Sequence, residues 1–436
     1  MGPETVHLPY ATLFRCIGAE CEDTCCAGWS IPLDQAACTR FTQMKDGPLK
    51  GHILSHIEPA TEATNQLASF RMVSGNRCPL LSQSGWCHLQ EQEGESALPH
   101  TCRTYPRYVQ RLAGELETAL ALSCPEAARL VLLHPNLFAT IAPRLKLERD
   151  NTPGLTPLMA WAPFIRAIVF TLVAGHRDYP LWQRLFLLRL FCHRLDGLQK
   201  ETDERKILKF VGDFEMSVAA GSLRTAINTL PANTEAQLDI VLQLAGLLLH
   251  ESNIRPRFVK TIEAFTAGIG NGPGATLASL AAGYAHAQNH WLSPMLARHP
   301  LMIENWLINA IVRYRFPFGK QSEEQNWSAV SEFESLAADF VLTRGLLAGV
   351  AGYHREAFTA EHVIATVQAS AKHFEHHPGF VSKARALVAE SRMSDTNGWA
   401  ILLQDRIALG QQESAQLRPQ PPTEAAQISH EVEQSL

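Results

Sequence analysis

Charge of one sign is what this chain most conspicuously lacks. Thirty-eight Lys and Arg stand against 43 Asp and Glu, a net charge of −5. That balance provides no basic face of the kind nucleic-acid binding draws on. Long hydrophobic runs are also missing. No apolar stretch reaches the ~20 residues that span a bilayer. The longest, APFIRAIVFTLVAG, is interrupted by Arg166 and reads as a core helix. The N-terminal MGPETVHLPYATLF has no basic stretch followed by an apolar core, so no secretory signal is expected. Val6 stands where a myristoylation signal needs Ser or Thr. The expectation is a cytoplasmic protein, where thiols stay reduced, with neither nucleic acid nor membrane among its partners. What remains is ordinary globular material, 46% hydrophobic and 19% charged over 436 residues, enough for two or three domains.

The texture of the chain changes along its length. Up to about residue 130 it is rich in breakers. NRCPLLSQSGWCHLQ reads as an irregular stretch or short hairpin, and ESALPHTCRTYPRYVQ as an extended loop interrupted by Pro99 and Pro106. IPLDQAACTRFTQ reads as a helix start capped by Asp34. GELETALALSCPEAARLVLLHP reads as an extended stretch, then a helix opened by Pro125 with Glu126 in its first turn. From about residue 155, segments such as YPLWQRLFLLRLFCHRLDGLQK, AQLDIVLQLAGLLLHES and VSEFESLAADFVLTRGLLAGVAG carry apolar residues at three- and four-residue spacing. The expected fold is mainly α: an irregular Cys-rich region over 1–135, an all-α multi-helix domain over 136–412, and a disordered tail over 413–436.

Nine of the ten cysteines fall at or before residue 124, four of them within CIGAECEDTCC. In a reducing compartment such crowding predicts metal ligands or redox groups rather than disulfides. The candidate ligands are Cys16, Cys21, Cys25, Cys26, Cys78, Cys87, Cys102 and Cys124. Their spacing is not the paired knuckle of a zinc site. Adjacent Cys25 and Cys26 point in different directions in most backbone conformations, so both serve one zinc poorly. They suit a larger cluster or two separate sites. Iron–sulfur clusters take four thiolates, commonly three close in sequence and one distant. Three of the first four cysteines plus one later cysteine meet that requirement, with thiols left for a second site, zinc or another cluster. Cys38 and Cys192 read as buried free thiols.

CIGAECEDTCCAGWSIPLD, NRCPLL, WCHLQ, LPHTCRTYPR and LSCPEAARL, in this order, resemble the flagellin lysine-N-methylase family, and ENWLINAIVRYRFPF resembles its second half. The same layout resembles a broader group of cysteine-cluster, zinc- or iron-chelating proteins. The resemblance implies a protein-lysine N-methyltransferase that uses S-adenosylmethionine on surface lysines of flagellin. It also implies a 4Fe-4S cluster on some of the eight cysteines, zinc being possible instead of or beside iron. The chain departs from the radical S-adenosylmethionine signature, three cysteines spaced x3 then x2, which counts against a standard radical mechanism.

Methyl transfer to lysine needs the neutral amine, although a free lysine titrates near ~10.4. A site must therefore desolvate the amine or supply a base. Tyr105 is the candidate proton acceptor. Arg103 and Arg107 are candidate forks for a cofactor or substrate carboxylate, or a counter-charge for a thiolate cluster. Glu126 and Arg129 read as helix-start charge and a pair. Trp29 reads as a cover for the cluster or simple packing. AGIGNGPGA follows a helical pattern rather than a strand, so it reads as a helix–helix loop and not a nucleotide cradle. His373, His376 and His377 read as surface histidines, and Trp306, Phe316 and Phe318 as core aromatics. Two other readings remain open: a non-enzymatic metal-binding interaction protein with a structural metal, and a cysteine-based redox protein.

Overall fold

The computed structural model describes residues 5–6, 9–59, 68–112, 115–249, 255–319, 327–374, 379–391 and 393–405. The tail expected over 413–436 and the histidines at 376 and 377 lie outside these residues. The architecture is mainly α, with two small three-stranded sheets confined to the first 120 residues. In one sheet β1 (Thr5–Val6) runs parallel to β6 (Glu115–Leu120), and β6 pairs antiparallel with β5 (Arg107–Leu112). In the other, β4 (Ala68–Phe70) lies between β2 (Pro32–Leu33) and β3 (Ile57–Pro59), antiparallel to both.

The centre of the body is the helix Ala329–His354. By length and composition alone it could cross a membrane, yet most of it is buried within the protein. It, rather than Ala162–Ala174, is the long apolar element. Its start is fixed by Asp196 at the end of the helix Leu181–Asp196, which accepts from Ser328 Oγ and Ala329 N, both at 2.6 Å. The helix Pro256–Gly268 crosses it so closely that a Cβ on Gly268 would sit 1.8 Å from the Gly349 carbonyl oxygen. The loop AGIGNGPGA then joins this helix to Leu277–Ala287, as a helix–helix connection.

The body also buries charge. Glu304, only 1% exposed, accepts from Arg177 Nη2 at 2.6 Å and Arg184 Nη1 at 2.7 Å. Such a pair is tolerated because each desolvated charge finds a partner. Glu304 belongs to the helix Met302–Arg313, which carries ENWLINAIVR. Two asparagines on it satisfy backbone that would otherwise be orphaned. Asn309 Oδ1 accepts from Tyr10 Oη at 2.9 Å and Leu120 N at 3.0 Å, while its Nδ2 donates to Leu120 O at 2.9 Å. Asn305 accepts from Leu137 N at 3.1 Å and donates to His134 O at 2.7 Å. Trp306, Phe316 and Phe318 are core aromatics, as expected.

Two local expectations give way. The segment around Cys102 is not an extended loop: His100–Thr104 is a short helix, followed by β5. Pro99 precedes its first turn, where a ring-fixed φ does not break a helix. His373 is buried, stacked on Phe258 with ring centroids 4.4 Å apart, its Nε2 3.2 Å from the Leu248 carbonyl. Its place on an apolar helix face outweighed the polar run around it.

Two hydrophobic cores result. The large one fills the helical body and draws in Tyr10, Phe14, β6 and the helix Pro125–Leu132. The small one gathers residues between Ile31 and Leu98, Cys78 among them, with Cys26, Cys38, Cys87 and Cys102 packed against it.

A candidate metal centre lined by eight thiols

Each early cysteine is set by its own piece of backbone. Cys16 follows the first helical turn and is exposed. Cys21 ends the 3-10 turn Gly18–Glu20, its amide donating to Gly18 O at 3.2 Å. In the next turn Cys26 N donates to Thr24 Oγ1 at 3.1 Å, and Trp29 Nε1 donates to Cys25 O at 2.6 Å. Cys78 N donates to Cys26 O at 2.8 Å, which lays the second cysteine segment along the first. Cys87 bridges to Leu81 and caps the helix His88–Glu93. Cys102 lies in the helix His100–Thr104, and Cys124 caps Pro125–Leu132. Asp34 caps its helix as expected, accepting from Ala37 N at 2.8 Å. Its other oxygen accepts from His100 N at 2.7 Å, tying the Cys102 helix to the small core.

All eight of these cysteines line one cavity of about 190 Å³. All ten cysteines of the chain are free thiols. Cys192 is buried in the body and Cys38 half-buried against the small core, neither on the cavity. Among the described residues, no three His, Cys, Asp or Glu side chains converge tightly enough to hold a single metal ion. The thiols instead form the walls of a space larger than one ion.

Burial dominates their electrostatics. It pushes Cys78 and Cys124 up to about 12 and Cys102 higher still, with neighbouring sulfurs adding to the effect at Cys102. Backbone amides oppose it at Cys124 and Cys87, where each sulfur sits at a helix start. The adjacent pair splits. Cys25 hydrogen-bonds to Cys26, which holds the Cys25 thiol protonated and draws Cys26 below the ordinary thiol range. Lys372 supports that lowering. Thiols that burial holds neutral, as at Cys78, Cys102 and Cys124, are donors that a soft cation converts to thiolates, because its charge repays the desolvation. The residues therefore fit a thiolate-bound metal or iron–sulfur centre.

The three non-cysteine candidates reach the same cavity. Tyr105 lines it, with its hydroxyl 3.2 Å from Ser123 Oγ. Arg103 lines it as well. Arg107 lines it while donating to Phe14 O at 3.1 Å and lying over the Phe14 ring at 5.2 Å. Trp29 also lines it. Glu126 and Arg129 form the expected pair at 2.5 Å, and Arg129 also holds Glu22 at 2.9 Å.

The helical body supplies residues that no local pattern announces. From the helix Ala360–Phe374, Lys372 Nζ donates to Asp23 Oδ1 at 2.7 Å and Thr24 O at 3.1 Å. Gln368, fully buried, donates to Asp23 Oδ2 at 2.8 Å and Ser123 O at 2.9 Å. Arg255 donates to Gly28 O at 2.5 Å. Gly28 has φ +91°, and a Cβ there would sit 1.5 Å from Arg255 Nη1, so this junction requires glycine.

A mainly helical body that clamps a thiol-walled cavity against its flank defines a cysteine-cluster protein. The model of the FliB lysine N-methylase C-terminal domain matches residues 168–402, more than half the chain. The chain belongs to the FliB lysine N-methylase family. It is similar to lysine-N-methylases of Salmonella typhimurium (strain LT2) and Salmonella choleraesuis (strain SC-B67). Each is 30% identical over 243 residues, 54% of this chain and 59% of the relative. It is also 30% identical over 131 residues to the flagellar biosynthetic protein FliU of Salmonella muenchen, covering 30% of this chain and 78% of that one. The chain thus spans 59% of the length of the lysine-N-methylases it matches. No solved structure matches.

Proposed function

We propose that this chain is an S-adenosylmethionine-dependent protein-lysine N-methyltransferase acting on flagellin, with its cysteine cavity holding a 4Fe-4S cluster. The observation that carries the reading is the convergence of eight of the nine early thiols on one cavity in a chain of the FliB family. The names of the relatives, lysine-N-methylase and a flagellar biosynthetic protein, support the reaction and the flagellar substrate.

The cofactor would supply a methyl group on a positive sulfur, and a tetrathiolate iron–sulfur cluster, anionic overall, would order the cavity wall. The chain's own residues do the rest. Arg103 presents a planar donor fork at the cavity wall, suited to a carboxylate. Arg107, already committed to Phe14 O, has a guanidinium fixed in direction, which lowers the entropic cost of recognition. Trp29 and Trp86 line the space with aromatic surface. The target lysine must arrive neutral. Its nitrogen lone pair forms the N–C bond as the C–S bond breaks, and the proton lost from nitrogen goes to a base. Tyr105 Oη, beside Ser123 Oγ, is the group positioned to take or relay it.

Intact-mass measurement of purified flagellin after incubation with the anaerobically prepared protein and S-adenosylmethionine tests this. A ladder of methyl additions on lysines is expected. Unchanged mass with a metal-loaded protein overturns the enzymatic reading.

A further inference from the structure

Eight thiols on one cavity are twice what a single cubane cluster takes. They are also not equivalent in the fold. Cys26, Cys78, Cys87 and Cys102 all pack into the small core, around Leu80, Leu89 and Leu98. Cys124 belongs instead to the core of the helical body. Cys16, Cys21 and Cys25 join neither core.

The backbone draws the same division. Cys78 N donates to Cys26 O at 2.8 Å. Cys87 is bridged to Leu81, and the following residue, His88, donates its amide to Leu80 O at 2.8 Å. These bonds place three of the first set on adjoining strands of backbone, and the Asp34–His100 hydrogen bond brings in the helix with Cys102. On the other side, Asp23 of the first cysteine loop and the Ser123 carbonyl beside Cys124 are both held by Gln368. The sets adjoin, since the Cys25 and Cys26 thiols hydrogen-bond to each other. The boundary falls between Cys25 and Cys26, whose carbonyls accept from different partners, Trp29 Nε1 and Cys78 N.

Resting on the metal reading of the cavity proposed above, we propose that it holds two separate tetrathiolate centres. The inner one is ligated by Cys26, Cys78, Cys87 and Cys102, the outer one by Cys16, Cys21, Cys25 and Cys124. The inner centre sits in the small core and staples it. The outer centre lies where Cys16 is exposed and where the helix Ala360–Phe374 grips the loop, so it is the one a substrate reaches.

The test is metal and acid-labile sulfide per chain after anaerobic reconstitution of the full chain. Two cubane clusters correspond to about eight iron atoms, four for each set of cysteines. The C21S/C124S variant is expected to lose one half and C78S/C102S the other, while Cys38→Ser retains everything. The sharpest arm is the adjacent pair: Cys25→Ser loses the outer centre and Cys26→Ser the inner. Zinc replacing iron in one set, with the other set intact, supports the partition and identifies that metal. One centre's worth of metal in the wild-type chain, or C25S and C26S stripping the same centre, overturns it. If the inner variants fail to fold, the wild-type count and the outer variants still decide. A wild-type chain that takes up no metal removes the metal reading itself, a failure distinct from a single-centre result.

Discussion

The helical body buries large side chains along many helices, from Phe170 and Trp182 to Phe333 and Trp399. Among the described residues, the region between Ile31 and Leu98 gathers eleven buried residues into its core, one of them a cysteine. The body has enough apolar surface to fold by packing alone, with buried ion pairs as specific fixtures. The small region, built on one short three-stranded sheet and several turns, does not. Its irregular segments are instead aimed at a common cavity. The contrast teaches where a staple is needed: on the metal reading proposed above, thiol–metal bonds supply it where the core is thin.

The comparison breaks most visibly at Glu304. Glu304→Ala leaves Arg184 buried without its carboxylate, and loss of one partner of a buried pair costs ~3–5 kcal/mol. A large fall in the unfolding midpoint of the body is expected, with metal content per folded chain unchanged. If metal is lost in proportion, the two regions are not energetically distinct.

Glu332 sharpens the body's side. Burial raises its carboxyl to about 7, against the pull of Arg385 and Arg315. A carboxyl raised on folding binds its proton more tightly in the native state. Its contribution is therefore greatest below the unfolded value of 4.5 and is lost as pH rises through about 7. Glu332→Gln should flatten that slope and raise stability at pH 8 by roughly 1–3 kcal/mol, read by denaturant titration at several pH values. An unchanged slope contradicts the assignment.

On the small region's side, Asp34→Ala removes a helix cap and the bond to His100 N, an expected loss of ~1 kcal/mol. Burial works against the Asp34 charge, but the amides of His100 and Ala37 and the charge of Arg40 outweigh it and hold its carboxyl below the usual range. Its contribution is thus present above the unfolded value of 3.8 and disappears as pH falls through the lower folded value. Loss of metal from the wild type on mild acidification should begin at a higher pH in the variant. Smallest of all is Lys372→Met, which takes the cation from Asp23. A modest rise in the rate of metal loss to a chelator, with unchanged helical content, is expected. No change would mean the contact does not steady the cysteine loop.

Where signals were local, the sequence disclosed the structure. Asp34 before an apolar run, Pro125 opening a helix and the glycine loop after a helical segment each carry their own backbone logic, and each is found. Pro99 misled because proline just ahead of a helix and proline breaking one look alike in sequence. His373 misled because neighbouring polar residues hid its apolar face. The cysteines announced a site through spacing alone. Gln368 and Lys372, some 345 residues from the aspartate they hold, had no local pattern to reveal them. Nor did Asn305 and Asn309, whose role is fixed only once distant backbone arrives.

The most direct measurement is amide hydrogen exchange on the full chain, metal-loaded and metal-stripped. The account predicts that stripping abolishes protection in the segments around Cys78, Cys87 and Cys102 while Leu181–Asp196, Met302–Arg313 and Ala329–His354 keep theirs. Equal protection of the cysteine segments in both forms would contradict it.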